Sequence, residues 1–268
     1  MRTVAVVLGA GSGLRFGAAV PKQLLPLAGR ALLEHSVAAF EQAPGVGEIL
    51  IVMAPGHTEQ VRGLLADRGY GKVTGVIEGG ATRPESTRRA IAALGPGEAD
   101  VLFHDAARPL LDQPTITGCL RALRDHRAVG VAVPASDTIV VVQDGIMTSM
   151  PHRETLRRCQ TPQGFRLSVI RQAHELALAD PGYADLTATD DCGIVLRYLP
   201  DVPVAVVPGS ERNIKITYPQ DLTVAEALLA PAPGAGPAAC LQVRRIVLDL
   251  GQLPDRRPLL QERLDGLA

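Results

Sequence analysis

The sequence predicts an α/β protein: a three-layer α/β/α sandwich around a mostly parallel, Rossmann-like sheet, with a projecting β-hairpin arm. Three observations predict it. Apolar, β-branched runs alternate with helix-patterned stretches through the first half, which is the pattern of βαβ units. Runs such as Thr3-Val4-Ala5-Val6-Val7-Leu8 are continuously apolar, as strands buried on both faces are. After Pro134 the pattern gives way to two β-rich runs around Gln143-Asp144-Gly145, and Asp-Gly between such runs is a hairpin signal.

The runs place strands at 3–8, 48–54, 73–77, 100–104 and 129–133. Helical stretches near 30–42, 58–68, 85–94 and 114–126 separate them, long enough for right-handed crossovers. The arm covers about 134–155, and its exposed edge calls for a partner subunit. Helices follow at about 166–179 and 189–198, then a strand from Val202 to Val207, the run Asn213 to Thr217 and a closing helix near 219–229. Residues 1–229 read as one domain. Residues 230–239 form a Pro/Ala/Gly linker, and 240–268 a tail too short to fold alone, with an amphipathic helical pattern from Pro258.

With 268 residues, 46% apolar and 21% charged, the composition is that of an ordinary globular protein. A net charge of −1 creates no general field for nucleic acid, so anion binding must be local. No segment reaches the roughly 18 uninterrupted apolar residues of a membrane span. The N-terminus runs straight into a core strand without a signal peptide, which makes the cytoplasm the expected location. Cys119, Cys159, Cys192 and Cys240 are too widely spaced for a zinc site and read as buried free thiols. Of the six histidines only His104 stands inside a motif; the others read as surface or capping groups.

Gly9-Ala10-Gly11-Ser12-Gly13-Leu14-Arg15 follows the first strand, and Pro21-Lys22-Gln23 comes shortly after. Glycines at the carboxyl edge of a parallel sheet let backbone N–H groups approach a phosphate, and Arg15 and Lys22 supply charge to neutralise it. The segment reads as a nucleoside triphosphate site. It is not a P-loop, because Gln23 follows Lys22. Nor is it a dinucleotide fingerprint, because Leu14 replaces the third glycine and the second strand ends in Pro55-Gly56 without an acid.

Strand four ends in Phe103-His104-Asp105-Ala106-Ala107-Arg108-Pro109, which puts Asp105 on the same edge, where it can hold Mg²⁺ against triphosphate oxygens. Its structural alternatives are a cap on the next helix or a pair with Arg108. His104 reads as a structural hydrogen-bonding residue. Glu78-Gly79-Gly80-Ala81-Thr82-Arg83-Pro84-Glu85-Ser86 follows strand three; its glycines admit a flat base and Ser86 offers it a hydroxyl, or else the segment is only a turn before a helix. Lys215 by itself is an ordinary surface lysine.

Gly9 to Arg15, Pro21-Lys22-Gln23, Gly79-Gly80, His104 to Pro109, Asp137-Thr138, Thr161-Pro162-Gln163 and Asn213-Ile214-Lys215-Ile216-Thr217 occur in the order seen in one family. Over about residues 3–229 the chain resembles the 2-C-methyl-D-erythritol 4-phosphate cytidylyltransferases, a family that also includes ribitol-5-phosphate cytidylyltransferases. The resemblance implies a sheet of the nucleotide-diphospho-sugar transferase type. It also implies that Ala10, Gly11, Gly13, Gly80, Ser86 and Ala106 frame CTP, with Mg²⁺ at its phosphates. Arg15, Lys22 and Lys215 would surround the α-phosphate as catalytic groups. Asp105, Arg108 and Thr161 would touch a polyol phosphate acceptor, with Thr138 and Arg153 reaching it from the other subunit of a homodimer.

Gly9 and Ala81 depart from the family's usual residues. Thr187 to Gly193 resembles the ribitol branch, while Ala107 resembles the methylerythritol branch. The implied reaction transfers CMP from CTP to the acceptor, with methylerythritol phosphate ranked before ribitol phosphate. A nicotinamide-dependent oxidoreductase lacks its glycine and its acid. A non-catalytic nucleotide-binding homologue is the remaining alternative.

Overall fold

The computed structural model describes residues 1–11, 20–185 and 190–230, the side chains of 184 and 185 excepted. Gly13, Arg15, the linker beyond Ala230, the tail and Cys240 lie outside the described residues. The chain divides into two units, Met1–Ala227 and Leu228–Ala268; the elements below belong to the first, apart from the last two residues of the closing helix.

Six strands of the main sheet are β1 (Thr3–Gly9), β4 (Glu48–Met53), β5 (Val73–Glu78), β6 (Asp100–Asp105), β7 (Ala128–Pro134) and β11 (Val204–Pro208). The short β2 (Pro26–Leu27) and β3 (Arg30–Ala31) pair with each other. Helices α1 (Leu32–Glu41), α2 (Thr58–Ala66), α3 (Arg83–Ala93) and α4 (Gln113–Asp125) connect the strands as the sequence predicts. Further on lie α5 (Leu167–Ala179), α6 (Asp191–Tyr198) and α7 (Gln220–Leu229). The starts are chemically marked: Thr82 and Asp112 accept hydrogen bonds from the first turns of α3 and α4, each with proline in that turn.

Strand β1 shows why its run is continuously apolar. Val4, Val6 and Leu8 enter one core with Ala90 and Ile91 of α3 and Ile170 and Ala173 of α5. Ala5 and Val7 enter another with Val37 and Phe40 of α1 and Ile116 and Leu123 of α4. Because successive side chains point to opposite faces, two covered faces demand an unbroken apolar run.

With β10 (Arg157–Arg166) as its seventh strand, the sheet has the order β11-β7-β10-β6-β1-β4-β5. Its interior holds a strand that the sequence pattern does not announce, β10, antiparallel to both β6 and β7. Proline argues against a central strand because it donates no ladder bond. Here the register shifts between Cys159 and Gln163, so Thr161-Pro162 sits in the irregularity. Gly164 is equally specific: a Cβ there would lie 2.8 Å from Val129 and 2.9 Å from Leu102.

The arm is a hairpin of β8 (Val141–Gln143) and β9 (Ile146–Ser149). Asp144 and Gly145 have φ of 50° and 78°, the left-handed pair that the tight turn needs.

Candidate active site

From β1 the chain crosses to β4 and β5 on one side, then returns to β6 on the other, so the carboxyl ends of β1 and β6 flank a topological switch point. Leu8 is registered with Asp105, and the Ala106 N–H donates to the Leu8 carbonyl at 2.9 Å. Ligands of open α/β sheets bind at such a crevice. The first glycine loop and the Gly79-Gly80 loop meet there.

Their contact is tighter than a ligand cradle alone requires. A Cβ on Gly79 would overlap the Ala10 Cβ and lie 2.8 Å from Ser86 Oγ. The missing side chain of Gly79 therefore admits protein rather than a base. Ser86 Oγ accepts from the Gly80 N–H at 3.1 Å and donates to the Thr82 carbonyl at 3.0 Å, so it shapes the loop that carries Gly80. The Gly11 carbonyl accepts from Gln23 Nε2 at 3.3 Å, which ties the first loop to the Lys22 segment.

Asp105 at the tip of β6 is the centre of charge. Lys215 Nζ lies 2.7 Å from Asp105 Oδ2, and Arg83 Nε lies 3.4 Å from Oδ1. Burial works against its negative charge, but Arg83 and Lys215 outweigh burial and hold its carboxyl well below the usual range. Both structural alternatives are thereby corrected: Asp112 caps α4, and the pairing cations are Lys215 and Arg83, not Arg108. Arg108 donates instead to the Asn213 carbonyl at 2.8 Å and the Cys159 carbonyl at 3.3 Å.

Lys215 is more than an ordinary surface lysine, because its segment is sewn into the rim. Asn213 Nδ2 donates to the Thr161 carbonyl at 2.8 Å, and the Ile216 N–H donates to the Ala107 carbonyl at 2.8 Å. The buried Lys22 donates through Nζ to the Ile216 carbonyl at 2.7 Å. Lys22 and Lys215 thus meet on one strip of chain. Asp105, Arg108, Thr161 and Lys215 line a single pocket of about 180 Å³ with Arg83, Gln160, Gln163 and Asp190.

His104 is fully buried and structural, as its place in the motif predicts. Its Nε2 lies 3.0 Å from the Arg108 carbonyl, which only accepts, so the ring proton is there. Nδ1 then accepts from Thr161 Oγ1 at 2.9 Å, and Oγ1 accepts from the Asp105 N–H at 3.1 Å. Thr161 thereby fixes the backbone of Asp105.

Burial pushes the His104 pKa down to about 4 from 6.5. Between those values the unfolded chain takes up a proton that the folded chain refuses. The associated stability is complete above pH 6.5 and is lost as the pH falls toward 4. Urea unfolding should show about 2 kcal/mol less stability at pH 5 than at pH 7 from this group. A His104→Gln variant with an equally steep decline would count against it.

The remaining sequence-predicted residues separate from this cluster. Thr138 and Arg153 lie on the arm region and do not line this pocket. Cys159 is exposed, which corrects the reading of uniformly buried thiols, because it precedes the buried stretch of β10. His174 is 2% exposed, which corrects its surface assignment. It shares the inward stripe of α5 with Ile170, Ala173 and Ala177, a helical spacing visible in the sequence. Sequence reasoning gives no site role to Arg83, Gln163 or Asp190; the signal for Arg83 is its place at the first turn of α3 beside the Gly-Gly loop.

The donor set has consequences for a magnesium ion. Among the described residues no three His, Cys, Asp or Glu side chains gather to hold a metal. Asp105 nonetheless fits as a single ligand: a carboxylate has about four lone-pair sites, and Lys215 and Arg83 occupy only two. Mg²⁺ commonly takes one or two carboxylates and completes its shell with phosphate oxygens and water.

A glycine-bearing rim at the switch point, with the ionised Asp105 held between Lys215 and Arg83, suits a nucleotidyltransferase of the α/β class. The chain matches the model of the family described as IspD, 2-C-methyl-D-erythritol 4-phosphate cytidylyltransferase, over residues 3–231. It is 52% identical to a protein of that name from Thermobifida fusca, across 85% of this chain and 93% of that one. A crystal structure of a protein of the same name from Thermus thermophilus superposes with a TM-score of 0.66 at 34% identity, covering 83% of this chain and 96% of the other. The chain is also 36% identical to the Haemophilus influenzae bifunctional ribulose 5-phosphate reductase/CDP-ribitol pyrophosphorylase Bcs1, over 85% of this chain and 48% of that protein. The chain belongs to the 2-C-methyl-D-erythritol 4-phosphate cytidylyltransferase family.

Proposed function

We propose that this enzyme transfers CMP from CTP to 2-C-methyl-D-erythritol 4-phosphate, giving the CDP-alcohol and pyrophosphate for isoprenoid precursor synthesis. The observation that carries the reading is the Asp105–Lys215 pair, 2.7 Å apart in a pocket shared with Arg83, Arg108 and Thr161. A phosphate oxygen of the acceptor attacks the α-phosphorus of CTP. The new P–O bond forms as the bond to the bridging α–β oxygen breaks, and the electron pair leaves with pyrophosphate. Both reactants are anions, so the work of the site is to gather and hold charge.

In this reading Ala10, Gly11, Gly13, Gly80, Ser86 and Ala106 frame CTP, and Arg15, Lys22 and Lys215 hold the α-phosphate through the transition state. Arg108 and Thr161, with Asp105, orient the acceptor. Mg²⁺ held by Asp105 and the triphosphate supplies charge neutralisation when bound. No protein nucleophile is required, because a phosphate monoester is itself nucleophilic near neutral pH.

The homodimer belongs to the same proposal. Ile139, Val141, Val142, Ile146, Met147 and Met150 are all exposed on or beside the hairpin, a cluster of apolar side chains of the kind that marks a protein–protein contact. A partner covering them would bring its Thr138 and Arg153 to the acceptor. No helix among the described residues is long and apolar enough to cross a membrane, and we place the enzyme in the cytoplasm.

Incubation with CTP and Mg²⁺ beside each acceptor tests the assignment. The kcat/KM for methylerythritol phosphate is expected to exceed that for ribitol 5-phosphate by at least about 100-fold, or ~3 kcal/mol. A preference for ribitol phosphate would reassign the enzyme to CDP-ribitol synthesis. Pyrophosphate release with neither acceptor would leave only nucleotide binding.

A further inference from the structure

Behind the pocket wall lies a second carboxylate that the transfer chemistry does not use. Arg83 donates through Nη1 to Asp191 Oδ2 at 2.7 Å, whereas its Nε reaches Asp105 Oδ1 only at 3.4 Å. The tighter bond points away from the pocket. Asp191 is fully buried at the first position of α6 and is itself held, its N–H donating to Gln163 Oε1 at 3.0 Å. His174 of α5 backs it, with Nε2 3.4 Å from Asp191 Oδ1. Arg83 lines the pocket, but Asp191 and His174 do not.

Burying a carboxylate is costly unless it is paired, so this arrangement stabilises one particular placement of Arg83. A guanidinium released from Asp191 faces two pocket acids: Asp190, whose oxygens already accept from Gln163 Nε2 and the Gly193 N–H, and Asp105, which it already approaches at 3.4 Å and whose Oδ2 accepts from Lys215 at 2.7 Å. Both oxygens of Asp105 would then be closely held by cations. With Asp191 taking the stronger share, Oδ1 of Asp105 keeps acceptor capacity for incoming groups.

We propose that Asp191 is a positioning residue for the transfer: it draws Arg83 back from Asp105 and so keeps the Asp105 carboxylate open. The inference rests on the cytidylyl-transfer reading of the pocket. Asp191→Asn keeps the shape and an acceptor oxygen but removes the charge. Its kcat with CTP and methylerythritol phosphate should fall about 10- to 100-fold, while KM for CTP moves less than about twofold.

A double-mutant cycle separates this role from a general loss of stability. If Asp191 acts through Arg83, the double variant Arg83→Gln/Asp191→Asn has the kcat of Arg83→Gln alone. Losses that multiply, or wild-type kcat in Asp191→Asn, would overturn the proposal. Should Asp191→Asn not fold, Arg83→Lys carries the test, since one ammonium cannot serve both acids as the fork does. Paired with the buried Asp191, that ammonium leaves Asp105 open, so kcat should stay within about threefold of wild type, and a loss of about tenfold or more would overturn the idea. A wild-type protein that turns over both substrates keeps the two failures distinct. One that turns over neither removes the functional reading and this inference with it.

Discussion

Lys215→Met should lower kcat by about 10²–10³-fold, equivalent to roughly 3–4 kcal/mol, the scale for removing one preorganised charge that stabilises a transition state. Lys215 is the cation on Asp105 with the shorter contact, 2.7 Å against 3.4 Å for Arg83, and its side chain is 41% exposed and so accessible to a ligand. The variant should fold, because the segment is held by bonds that do not involve the Lys215 side chain: Asn213 to Thr161, Ile216 to Ala107 and Lys22 to Ile216. Pyrophosphate release under saturating substrates measures the effect, with circular dichroism as the check on folding. A loss of less than about fivefold would remove Lys215 from the reacting centre.

Arg153→Ala is expected to be as damaging, for a different reason: its side chain would serve the neighbouring subunit. Within its own chain, Arg153 Nη1 reaches only the Ser136 carbonyl, at 3.4 Å, and does not line the Asp105 pocket. Mixing inactive Lys215→Met subunits with inactive Arg153→Ala subunits therefore has a definite outcome. In a mixed dimer one site combines both defects and the other combines neither. Random reassortment makes half the dimers mixed, so activity should return to about a quarter of wild type. No recovery after verified subunit exchange would show that the arm completes no site in trans.

The legible parts of the fold were those with a local cause. Strands β1, β4, β6 and β7 are apolar because both faces are covered, and Asp144-Gly145 turns because its backbone needs positive φ. Strand β10 has no such local signature. Its polar residues Gln160, Thr161 and Gln163 are buried because they bond across the rim, and its glycine is set by side chains from β6, β7 and α4. These causes are distant in sequence. Asp105 was legible because it ends a strand, whereas Lys215 stands beside it only through a loop far along the chain. Gly79 was visible as a close approach, but not that the approaching group is Ala10. The inward stripe of α5 held enough information to place His174, and the periodicity was the signal to use.

Isotope tracing addresses the central chemistry most directly. With CTP labelled at the α-phosphorus, Mg²⁺ and methylerythritol phosphate, the label should pass entirely into the CDP-alcohol, with one unlabelled pyrophosphate released per turnover and none bound to protein. Label trapped on the polypeptide, or orthophosphate as the primary leaving group, would contradict direct attack of the acceptor on CTP.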